Sequence, residues 1–348
     1  MKIALVAPPY IPVPPKKYGG TELFLAELAR RLQSHGVDVV VYTVGESKVE
    51  APIRWLYEKG QWPLKGEVDG TLKALSHASW AVRDAVQDCD IIHVNSAPAV
   101  SFSRFADKPV VHTVHHAYEK EFASYYEVFP EVSYVTISDF QRRMLRMPRM
   151  RTIHHGIDPS LYTVHTSKQP YFSFLGRIAP PKGTHLAIEI AKKAGVPLKI
   201  AGEIQPMYKS YWESEVKPHV DGKFIQYLGE MGLEEKIELL GNSMAMLFPI
   251  QWHEPFGLVM IEAMACGTPV LALSGGSVDE VVKEGLSGHV RSTPEELVEC
   301  ARNLKFDPQT VRAYMEKRFS VDRMARDYVS LYTEILQDGV KEVEQIVA

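Results

Sequence analysis

The sequence is poor in cysteine, has no long apolar run and carries no excess of positive charge. Its three cysteines, Cys89, Cys266 and Cys300, are too few and too scattered for a disulfide framework or a metal cluster, so we expect a reducing, cytoplasmic setting. No apolar run reaches the roughly 18–20 residues of a membrane-spanning helix. The start, MKIALVAPPY, predicts a first strand rather than a signal peptide, because its short apolar run ends at two prolines. The formal net charge of −4 gives no reason to expect a nucleic-acid partner.

The length and the alternation of patterns predict two domains. At 348 residues the chain exceeds what one hydrophobic core usually organises, and its 45% apolar and 24% charged content is that of a globular protein. Short aliphatic runs alternate with amphipathic segments, which predicts parallel, doubly wound sheets. Strand candidates of the first block are residues 3–7, 37–44, 90–96, 109–115 and 133–138. The pattern restarts after residue 165, with candidates at 171–176, 197–202, 224–229, 245–250 and 269–274.

The segment 154–170, which is polar and contains Pro and Gly, separates the two blocks. We therefore predict an N-terminal Rossmann-like domain over residues 1–160 and a C-terminal one over residues 165–328. The amphipathic segment 319–347 predicts one long helix or two. We expect its last part, about 330–348, to cross back to the first domain.

Two acids, Glu254 and Glu262, lie within the stretch WHEPFGLVMIEAMACGTPVLAL. The loop of Glu254 follows the strand candidate 245–250, at the edge where open α/β sheets bind ligands. Carboxylates beside a bound diphosphate would repel it unless they accept hydrogen bonds from hydroxyl groups instead. A nucleotide sugar supplies both the phosphates and the hydroxyls. The structural alternative is that Glu254 caps the following helix and Glu262 is a solvated charge.

The same stretch predicts an anion site at a helix start. The segment 257–265 is predicted to be a helix, ended by Gly267. Backbone N–H groups of Phe256, Gly257 and Leu258 would then point out of its N-terminus, and Gly257 would let a phosphate approach the backbone.

Two cations follow the first strand of the second block. LGRIAPPKG (175–183) holds Arg177 and Lys182 in a strand-to-helix loop. Such cations suit a diphosphate, and arginine can bind two oxygens at once. The alternative is a pair of exposed loop cations. Because this loop and the loop of Glu254 are expected to open on the same edge of one sheet, their joint occurrence favours the diphosphate site.

The first block contributes a glycine pair and a histidine group. Gly19 and Gly20 precede a predicted helix and could cover phosphates, although this signal is weak by itself. His112, His115 and His116 lie at the end of a strand candidate. Strand alternation turns them to different faces, which disfavours a shared zinc site. A histidine at the tip could hydrogen-bond a sugar hydroxyl; the alternative is a core or surface histidine.

These motifs together resemble the retaining glycosyltransferases of family GT4, which have the GT-B fold. The resemblance rests on the E-x7-E arrangement of Glu254 and Glu262 within EPFGLVMIEAMACGTPV and on GRIAPPKG. It extends over nearly the whole chain, through YGGTELFLAELARRLQSHG, TISDFQRR, HHGID, GGSVDEVV and FSVDRMARDYVSLY. It implies an α/β, GT-B fold, in which the parallel sheets of two Rossmann-like domains face each other across a cleft.

The resemblance also implies roles for single residues. Arg177 and Lys182 would hold the donor diphosphate and steady the leaving nucleotide as charge develops. Glu254 would contact donor-sugar hydroxyls near the reacting centre, and Glu262 would contact the ribose hydroxyls. His115 matches the family histidine at the donor sugar. The implied catalytic set is therefore Glu254, His115, Arg177 and Lys182.

Further donor contacts follow from the same resemblance. They are Gly19 and Gly20 over the phosphate, the amides of Phe256, Gly257 and Leu258 at the sugar and phosphate, and Met231 at the base. Two positions depart from the family pattern: His154-His155-Gly156 stands where Pro-Asn-Gly is usual, and His253 precedes Glu254.

The implied function is transfer of a hexose from a nucleoside diphosphate sugar, with a UDP-sugar favoured, to a small-molecule, lipid or glycan acceptor with retention of configuration. The donor region has no D-x-D metal motif, so Arg177 and Lys182 would replace a divalent cation and no cofactor would be required. The alternative is a nucleotide-sugar-binding or epimerase-type GT-B protein without transferase activity, because a fold does not determine a function.

Membrane and acceptor contacts are the remaining partner questions. Segment 140–151, FQRRMLRMPRMR, combines five arginines with apolar residues and could make a weak peripheral contact with anionic lipid, but Pro148 interrupts it and favours a solvated helix end. Nothing in the sequence indicates the oligomeric state. Aromatic residues in first-domain loops could stack on an acceptor; these are Tyr10, Tyr18, Tyr118, Phe122, Tyr125 and Tyr126.

Overall fold

The computed structural model describes residues 1–16 and 19–347, and the side chains as far as Asp338. The chain divides into two compact units. Unit 1 comprises Met1–Gly156 and the residues from Val321 onward, and unit 2 comprises Ile157–Ser320. Tyr18, one of the aromatic residues considered for the acceptor, lies outside the described residues.

Unit 1 contains one parallel sheet of seven strands with helices between them. The sheet order is β3-β2-β1-β4-β5-β6-β7. The strands are β1 (Lys2–Val6), β2 (Asp38–Thr43), β3 (Ile53–Trp55), β4 (Ile91–Val94), β5 (Val110–Val114), β6 (Ser133–Thr136) and β7 (Met150–Thr152). The helices between them are α1 (Gly20–Ser34), α2 (Glu67–Ala85), α3 (Ala97–Val100), α4 (Lys120–Glu127) and α5 (Asp139–Met144).

Unit 2 contains a second parallel sheet, of six strands. The sheet order is β10-β9-β8-β11-β12-β13. The strands are β8 (Phe172–Leu175), β9 (Leu198–Ala201), β10 (Ile225–Tyr227), β11 (Ala245–Phe248), β12 (Val270–Leu273) and β13 (Gly288–Arg291). The helices are α6 (Thr184–Ala194), α7 (Lys209–Tyr211), α8 (Leu233–Asn242), α9 (Leu258–Ala265), α10 (Val278–Val281), α11 (Pro294–Arg302) and α12 (Pro308–Phe319).

Both faces of the unit 1 sheet are covered, which explains its continuous aliphatic strands. Ile3 and Leu5 pack on the face that carries α1 and the last helix, α13 (Val321–Val347). Ala4 and Val6, which alternate with them, pack on the opposite face with α2 and α4. The alternation along one strand therefore contributes to two hydrophobic cores.

The predicted strands and the fold class are confirmed, and the structure adds three strands that the sequence analysis did not predict. These are β3, β7 and β13, each at the edge of its sheet. An edge strand has a neighbour on one side only, and these short strands consist mostly of partly exposed residues instead of an aliphatic run. Hydrophobic patterning therefore carries little signal for them.

The unit boundaries lie at Gly156/Ile157 and Ser320/Val321, whereas the sequence pattern predicts domain boundaries near 160–165 and 328–330. The last segment forms one helix, α13, that begins at Val321 after α12 ends. Val321 and Tyr328 are already buried in the core of unit 1, so the helix packs on that unit from its first turn.

Helix α13 is also tied to the central strands of unit 1 by buried polar groups. The Tyr332 hydroxyl lies 2.7 Å from His93 Nδ1 on β4, and the Tyr328 hydroxyl lies 2.9 Å from Thr113 Oγ1 on β5. His93 Nε2 in turn lies 2.7 Å from Thr113 Oγ1. Burial lowers the pKa of His93 to about 3, so the network holds a neutral imidazole.

Segment 140–151, considered for lipid contact, does not form one amphipathic helix. It is divided between α5 and β7, and Leu145 and Met147 between them are buried in the core of unit 1. Arg151 pairs with Glu334 of α13, with Nη2 and Oε2 2.7 Å apart. Among the described residues, no helix is both long enough and apolar enough to cross a membrane.

In unit 2, Arg312 of α12 donates hydrogen bonds to backbone carbonyl groups of the segment that begins the unit and of the end of α9. Its guanidinium donates to Tyr162 O at 2.9 Å, to Pro159 O at 2.6 Å, and to Ala265 O at the end of α9. The planar group with several donors therefore ties α12 to two other backbone segments, residues 159–162 and the end of α9.

We predict that Arg312→Lys lowers the free energy of unfolding by about 1–3 kcal/mol, because lysine cannot keep all of these charge-assisted hydrogen bonds. Urea denaturation followed by circular dichroism measures the change. The matched control is Arg326→Lys. Arg326 is exposed and pairs with Asp322, which lies one turn earlier on α13. Equal losses for both variants would contradict the role of Arg312.

Candidate active site

Each sheet has one point at which the strand order reverses. In unit 2, β8 lies between β9 and β11, so the connections after β8 and β11 leave in opposite directions. In unit 1 the corresponding pair is β1 and β4. Such a reversal opens a crevice at the carboxyl ends of the strands, where open α/β sheets bind ligands.

In unit 2 this crevice contains a direct contact between two predicted site residues. Lys182, in the loop after β8, places Nζ 2.5 Å from Glu254 Oε2, in the loop after β11. Trp252 Nε1 donates to the same carboxylate oxygen at 2.9 Å, and the Lys182 ammonium lies 4.8 Å from the centre of the Trp252 ring. Both charged side chains are largely buried, at 13% and 8% exposure.

Close backbone packing holds the two loops together. Gln251 N donates to Pro181 O at 2.8 Å. Gly183 has a positive φ of 70°, and a Cβ atom there would lie 1.9 Å from Pro249 O. Only glycine therefore fits where the loop after β8 passes the end of β11.

The structural alternatives for the two acids are wrong. The helix α9 has no side-chain cap, so Glu254 does not cap it, and its carboxylate instead accepts hydrogen bonds from Lys182 and Trp252. Glu262 is only 3% exposed and is not a solvated charge.

Glu262 is held by one cation and one hydroxyl. Lys236 Nζ lies 2.9 Å from Glu262 Oε1, and the Tyr162 hydroxyl lies 3.4 Å from the same oxygen. The other oxygen, Oε2, is buried and has no hydrogen-bond partner among the residues that the structure describes. A buried carboxylate oxygen without a hydrogen bond raises the free energy of the folded protein, unless a ligand donates a hydrogen bond to it.

Arg177 shows the complementary feature. Its Nε is buried, and within the described part of the chain nothing accepts a hydrogen bond from it. Arg177 follows Gly176 at the end of β8, in the same loop as Lys182. This loop therefore has a buried hydrogen-bond donor without a partner in the described structure, whereas Glu262 has a buried acceptor without one.

The predicted helix start is shifted by one residue. The helix α9 begins at Leu258, and Gly257 precedes it as the N-cap with φ of 81°, a conformation that favours glycine. The Phe256 side chain is buried against Phe319, with ring centres 5.9 Å apart. The backbone from Phe256 to Leu258 thus starts the helix at the switch-point loop.

Met231 lies at another part of the same edge. It follows β10, which β9 separates from β8, and it lines a cavity of about 490 Å³. Tyr171, Lys199 and the acidic side chains of α8 line the same cavity.

In unit 1, Gly19 and Gly20 lie at the start of α1, which Gly19 precedes as N-cap. Glu22, in the first turn of α1, is 6% exposed. Burial raises its pKa to about 7, and the hydrogen bond from its own backbone N–H offsets only part of that shift. The glycine pair therefore has beside it an acid that is partly protonated near neutral pH.

His115 faces the switch point of unit 1. Its Nε2 lies 2.9 Å from Oδ1 of Asn95, which follows β4. The His155 ring stacks on it at 5.5 Å, and the edge of Phe24 approaches at 4.9 Å. Burial, and secondarily the neighbouring His155, lowers the pKa of His115 well below its usual value.

The other two histidines belong to the opposite side of the strand. Both His112 Nε2 and His116 Nε2 bond the Tyr126 hydroxyl, at 3.1 and 2.7 Å. Tyr126 is fully buried, so it is a core residue rather than part of an acceptor surface. Tyr118, at 40% exposure, is available at the surface.

Sequence reasoning missed four residues of these sites: Trp252, Lys236, Asn95 and Glu22. Trp252 and Glu22 stand beside predicted motifs and could have been considered with them. Lys236 and Asn95 are identified only by their contacts with distant residues. Lys236 contacts Glu262, 26 positions away in the sequence, and Asn95 contacts His115, 20 positions away. No local pattern marks such residues.

Comparison with known proteins agrees with this architecture. The family model described as "Glycosyltransferase Family 4" matches residues 18–161, and that described as "Glycosyl transferases group 1" matches residues 163–318. A phosphatidyl-myo-inositol mannosyltransferase of Mycobacterium leprae is 24% identical over 98% of this chain and 99% of its own. A probable sucrose-phosphate synthase of Thermosipho melanesiensis is 25% identical over 60% of this chain, which spans about half (49%) of that relative.

A solved structure supports the fold. HepE of Anabaena, in complex with UDP-glucose, superimposes with a TM-score of 0.73 at 19% identity, over 96% of this chain and 100% of its own. The two Rossmann-like units with parallel sheets, together with this likeness, define the GT-B fold. The chain belongs to the group 1 glycosyltransferases, in family 4.

The buried acid Glu22 predicts a pH dependence of stability. Its pKa in the folded protein, about 7, exceeds that of an exposed glutamate, so unfolding releases a proton between these values and stability falls as pH rises toward 7. We predict that Glu22→Gln is more stable than the wild type by about 2–4 kcal/mol at pH 8 and nearly equal at pH 4.

Urea unfolding at both pH values measures the effect of Glu22→Gln. The control is Glu121→Gln, at an exposed acid in the first turn of α4, which should show no such pH-dependent gain. A constant difference between wild type and Glu22→Gln across the pH range would refute the prediction.

For Lys236→Met we predict a loss of about 2–4 kcal/mol in unfolding free energy, because the variant leaves the Glu262 carboxylate buried without its cation. Thermal or urea unfolding measures the loss. Lys217→Met is the control, since Lys217 pairs with Glu213 on an exposed helical surface, at 56% and 46% exposure. That pair should contribute about 0–0.5 kcal/mol. A loss no larger for Lys236→Met than for the control would show that Glu262 does not need Lys236.

Proposed function

We propose that this glycosyltransferase moves a hexose from a nucleoside diphosphate sugar, with a UDP-sugar favoured, to a small-molecule, lipid or glycan acceptor, with retention of configuration. One observation carries the donor assignment. Unit 2 contains a buried unsatisfied donor, Arg177 Nε, and a buried unsatisfied acceptor, Glu262 Oε2. A diphosphate accepts hydrogen bonds and a ribose donates them, so a nucleotide would satisfy both groups.

The proposed roles follow the chemistry of these groups. Arg177 and Lys182 bind the diphosphate and stabilise the negative charge that develops on the leaving nucleotide. Glu262 accepts hydrogen bonds from the ribose hydroxyls, and Lys236 holds its other carboxylate oxygen in place. Met231 lies against the base. Two fixed cations take the place of a divalent metal ion.

The contact between Lys182 and Glu254 gives both residues a part in donor binding. Without a ligand, each charge neutralises the other at 2.5 Å. A bound diphosphate attracts the ammonium, and Glu254 then accepts hydrogen bonds from sugar hydroxyls near the reacting carbon. Trp252 continues to hold the carboxylate by its N–H group. We propose that the amides of Phe256, Gly257 and Leu258 contribute donors to the sugar and phosphate.

In unit 1, we propose that His115 accepts a hydrogen bond from a donor-sugar hydroxyl and that Gly19 and Gly20 lie against the donor phosphate. The neighbouring Glu22 would not repel that phosphate in its protonated form. We further propose a front-side reaction through an oxocarbenium-like state, in which the leaving phosphate takes the proton of the acceptor hydroxyl. The net result is one glycosidic bond broken to the phosphate and one formed to the acceptor.

The choice of UDP and of a hexose draws on the relatives. HepE binds UDP-glucose, and the name of the Mycobacterium leprae relative states transfer of mannose. Both sugars are hexoses.

The decisive experiment is a thermal-shift series with UDP-, GDP- and ADP-sugars, without added metal, for the wild type and Glu262→Ala. We expect one nucleotide class to raise the melting temperature, with about 2.7 kcal/mol of stabilisation at 100 times Kd. Glu262→Ala should abolish that shift, because it removes the acceptor for the ribose.

The control for this series is Glu299→Ala, at an exposed acid of α11 in the same unit, which should keep the full shift. A wild-type protein that responds to none of the three classes would overturn the donor assignment. Binding without turnover of the nucleotide sugar, with or without acceptors, would instead favour a nucleotide-sugar-binding protein, and its conversion into another nucleotide sugar without an acceptor would favour an epimerase.

A further inference from the structure

Asn95 lies at the end of β4, next to the switch point of unit 1, and is 5% exposed. Its amide group has contacts on both sides. Nδ2 donates to Val6 O and to His93 O, both at 3.3 Å, and its own backbone N donates to Val6 O at 3.0 Å. The side chain is therefore anchored to the two central strands of the sheet.

These contacts determine which way the amide faces. Both partners of Nδ2 are carbonyl oxygens, which only accept hydrogen bonds. The reverse orientation would place the amide oxygen against two other acceptors. The oxygen Oδ1 must therefore face His115 Nε2, which lies 2.9 Å away.

The tautomer of His115 follows from this orientation. An amide oxygen can only accept, so the proton of the neutral imidazole must be on Nε2. Burial and His155 disfavour the charged form of His115 by lowering its pKa, so the second nitrogen, Nδ1, carries a lone pair. Among the residues that the structure describes, Nδ1 makes no hydrogen bond.

The ring itself has little freedom to turn. His155 stacks on it with an interplanar angle of 15°, and Phe24 approaches edge-on at 62°. One step earlier on the same strands, His93 and Thr113 form a second polar pair, held by the tyrosines of α13. The pair of Asn95 and His115 thus continues a polar ladder between β4 and β5.

We propose that Asn95 is a positioning residue that holds His115 in the Nε2-protonated tautomer, so that Nδ1 is a fixed acceptor for a ligand hydroxyl. Because Nδ1 can accept but not donate, this position selects a ligand group that carries a hydrogen, such as a sugar hydroxyl, over a carboxylate or carbonyl oxygen. The identity of the ligand as a nucleotide sugar rests on the proposed function, whereas the tautomer does not.

The first test reads the tautomer directly, without any substrate. Long-range proton–nitrogen NMR spectra of protein labelled at histidine distinguish the two neutral tautomers, and the signal of His115 is assigned by its absence in His115→Gln. We expect the wild type to show the Nε2-protonated form alone at neutral pH. In Asn95→Ala we expect exchange between both tautomers.

A wild-type spectrum of the Nδ1-protonated form would overturn the proposal, and so would a single unchanged tautomer in Asn95→Ala. The wild-type measurement decides the tautomer even if Asn95→Ala does not fold. Failure of every nucleotide sugar to bind would refute the proposed donor but would leave this result standing.

The second test uses a matched pair of variants that imitate one ring nitrogen each. The amide of His115→Asn places an acceptor where Nδ1 lies, whereas the amide of His115→Gln reaches the position of Nε2. The measurement is the ratio of affinities for UDP-glucose and UDP in each variant. We expect His115→Asn to retain about tenfold more of the wild-type ratio than His115→Gln, about the effect of one neutral hydrogen bond. An equal or better ratio in His115→Gln would contradict the role of Nδ1.

Discussion

The ion pair between Lys182 and Glu254 joins the loops on either side of the point where the strand order of unit 2 reverses. The two residues are 72 positions apart, and the adjacency of β8 and β11 brings them together. A lysine and a glutamate with so little exposure would be costly singly, so each requires the other until a ligand replaces one of them. The close passage of Gly183 beside Pro249 is what makes this distance attainable.

The rest of the unit 2 site extends from this pair in two directions. On the β8 side, Arg177 has a buried donor without a partner in the described structure, and on the β11 side Glu262 has a buried acceptor without one. Buried polar atoms without a partner are a source of ligand affinity, because a ligand that hydrogen-bonds them removes an existing free-energy penalty. Arg177 Nε can only donate a hydrogen bond, as to a phosphate oxygen, whereas Glu262 Oε2 can accept one, as from a ribose hydroxyl.

In unit 1, buried polar side chains at the centre of the sheet hydrogen-bond each other in pairs. His93 with Thr113, and Asn95 with His115, form successive cross-strand contacts on β4 and β5. Tyr332 and Tyr328 of α13 hydrogen-bond His93 and Thr113. Helix α13 therefore helps to order β4 and β5, the strands that Asn95 and His115 follow. Hydrogen-bonded pairs of this kind fix side-chain orientation more strongly than packing alone.

The sequence by itself determined the two α/β blocks, their central strands and the loops in which Arg177, Lys182, Glu254 and Glu262 lie, because hydrophobic periodicity and strand-to-helix transitions are local signals. It did not predict the edge strands β3, β7 and β13, where burial is too slight to leave a pattern. Only the tertiary structure decided that Lys182 bonds Glu254, that Lys236 holds Glu262, and that Asn95 orients His115. These pairings depend on which strands become neighbours, and strand order is a property of the whole fold.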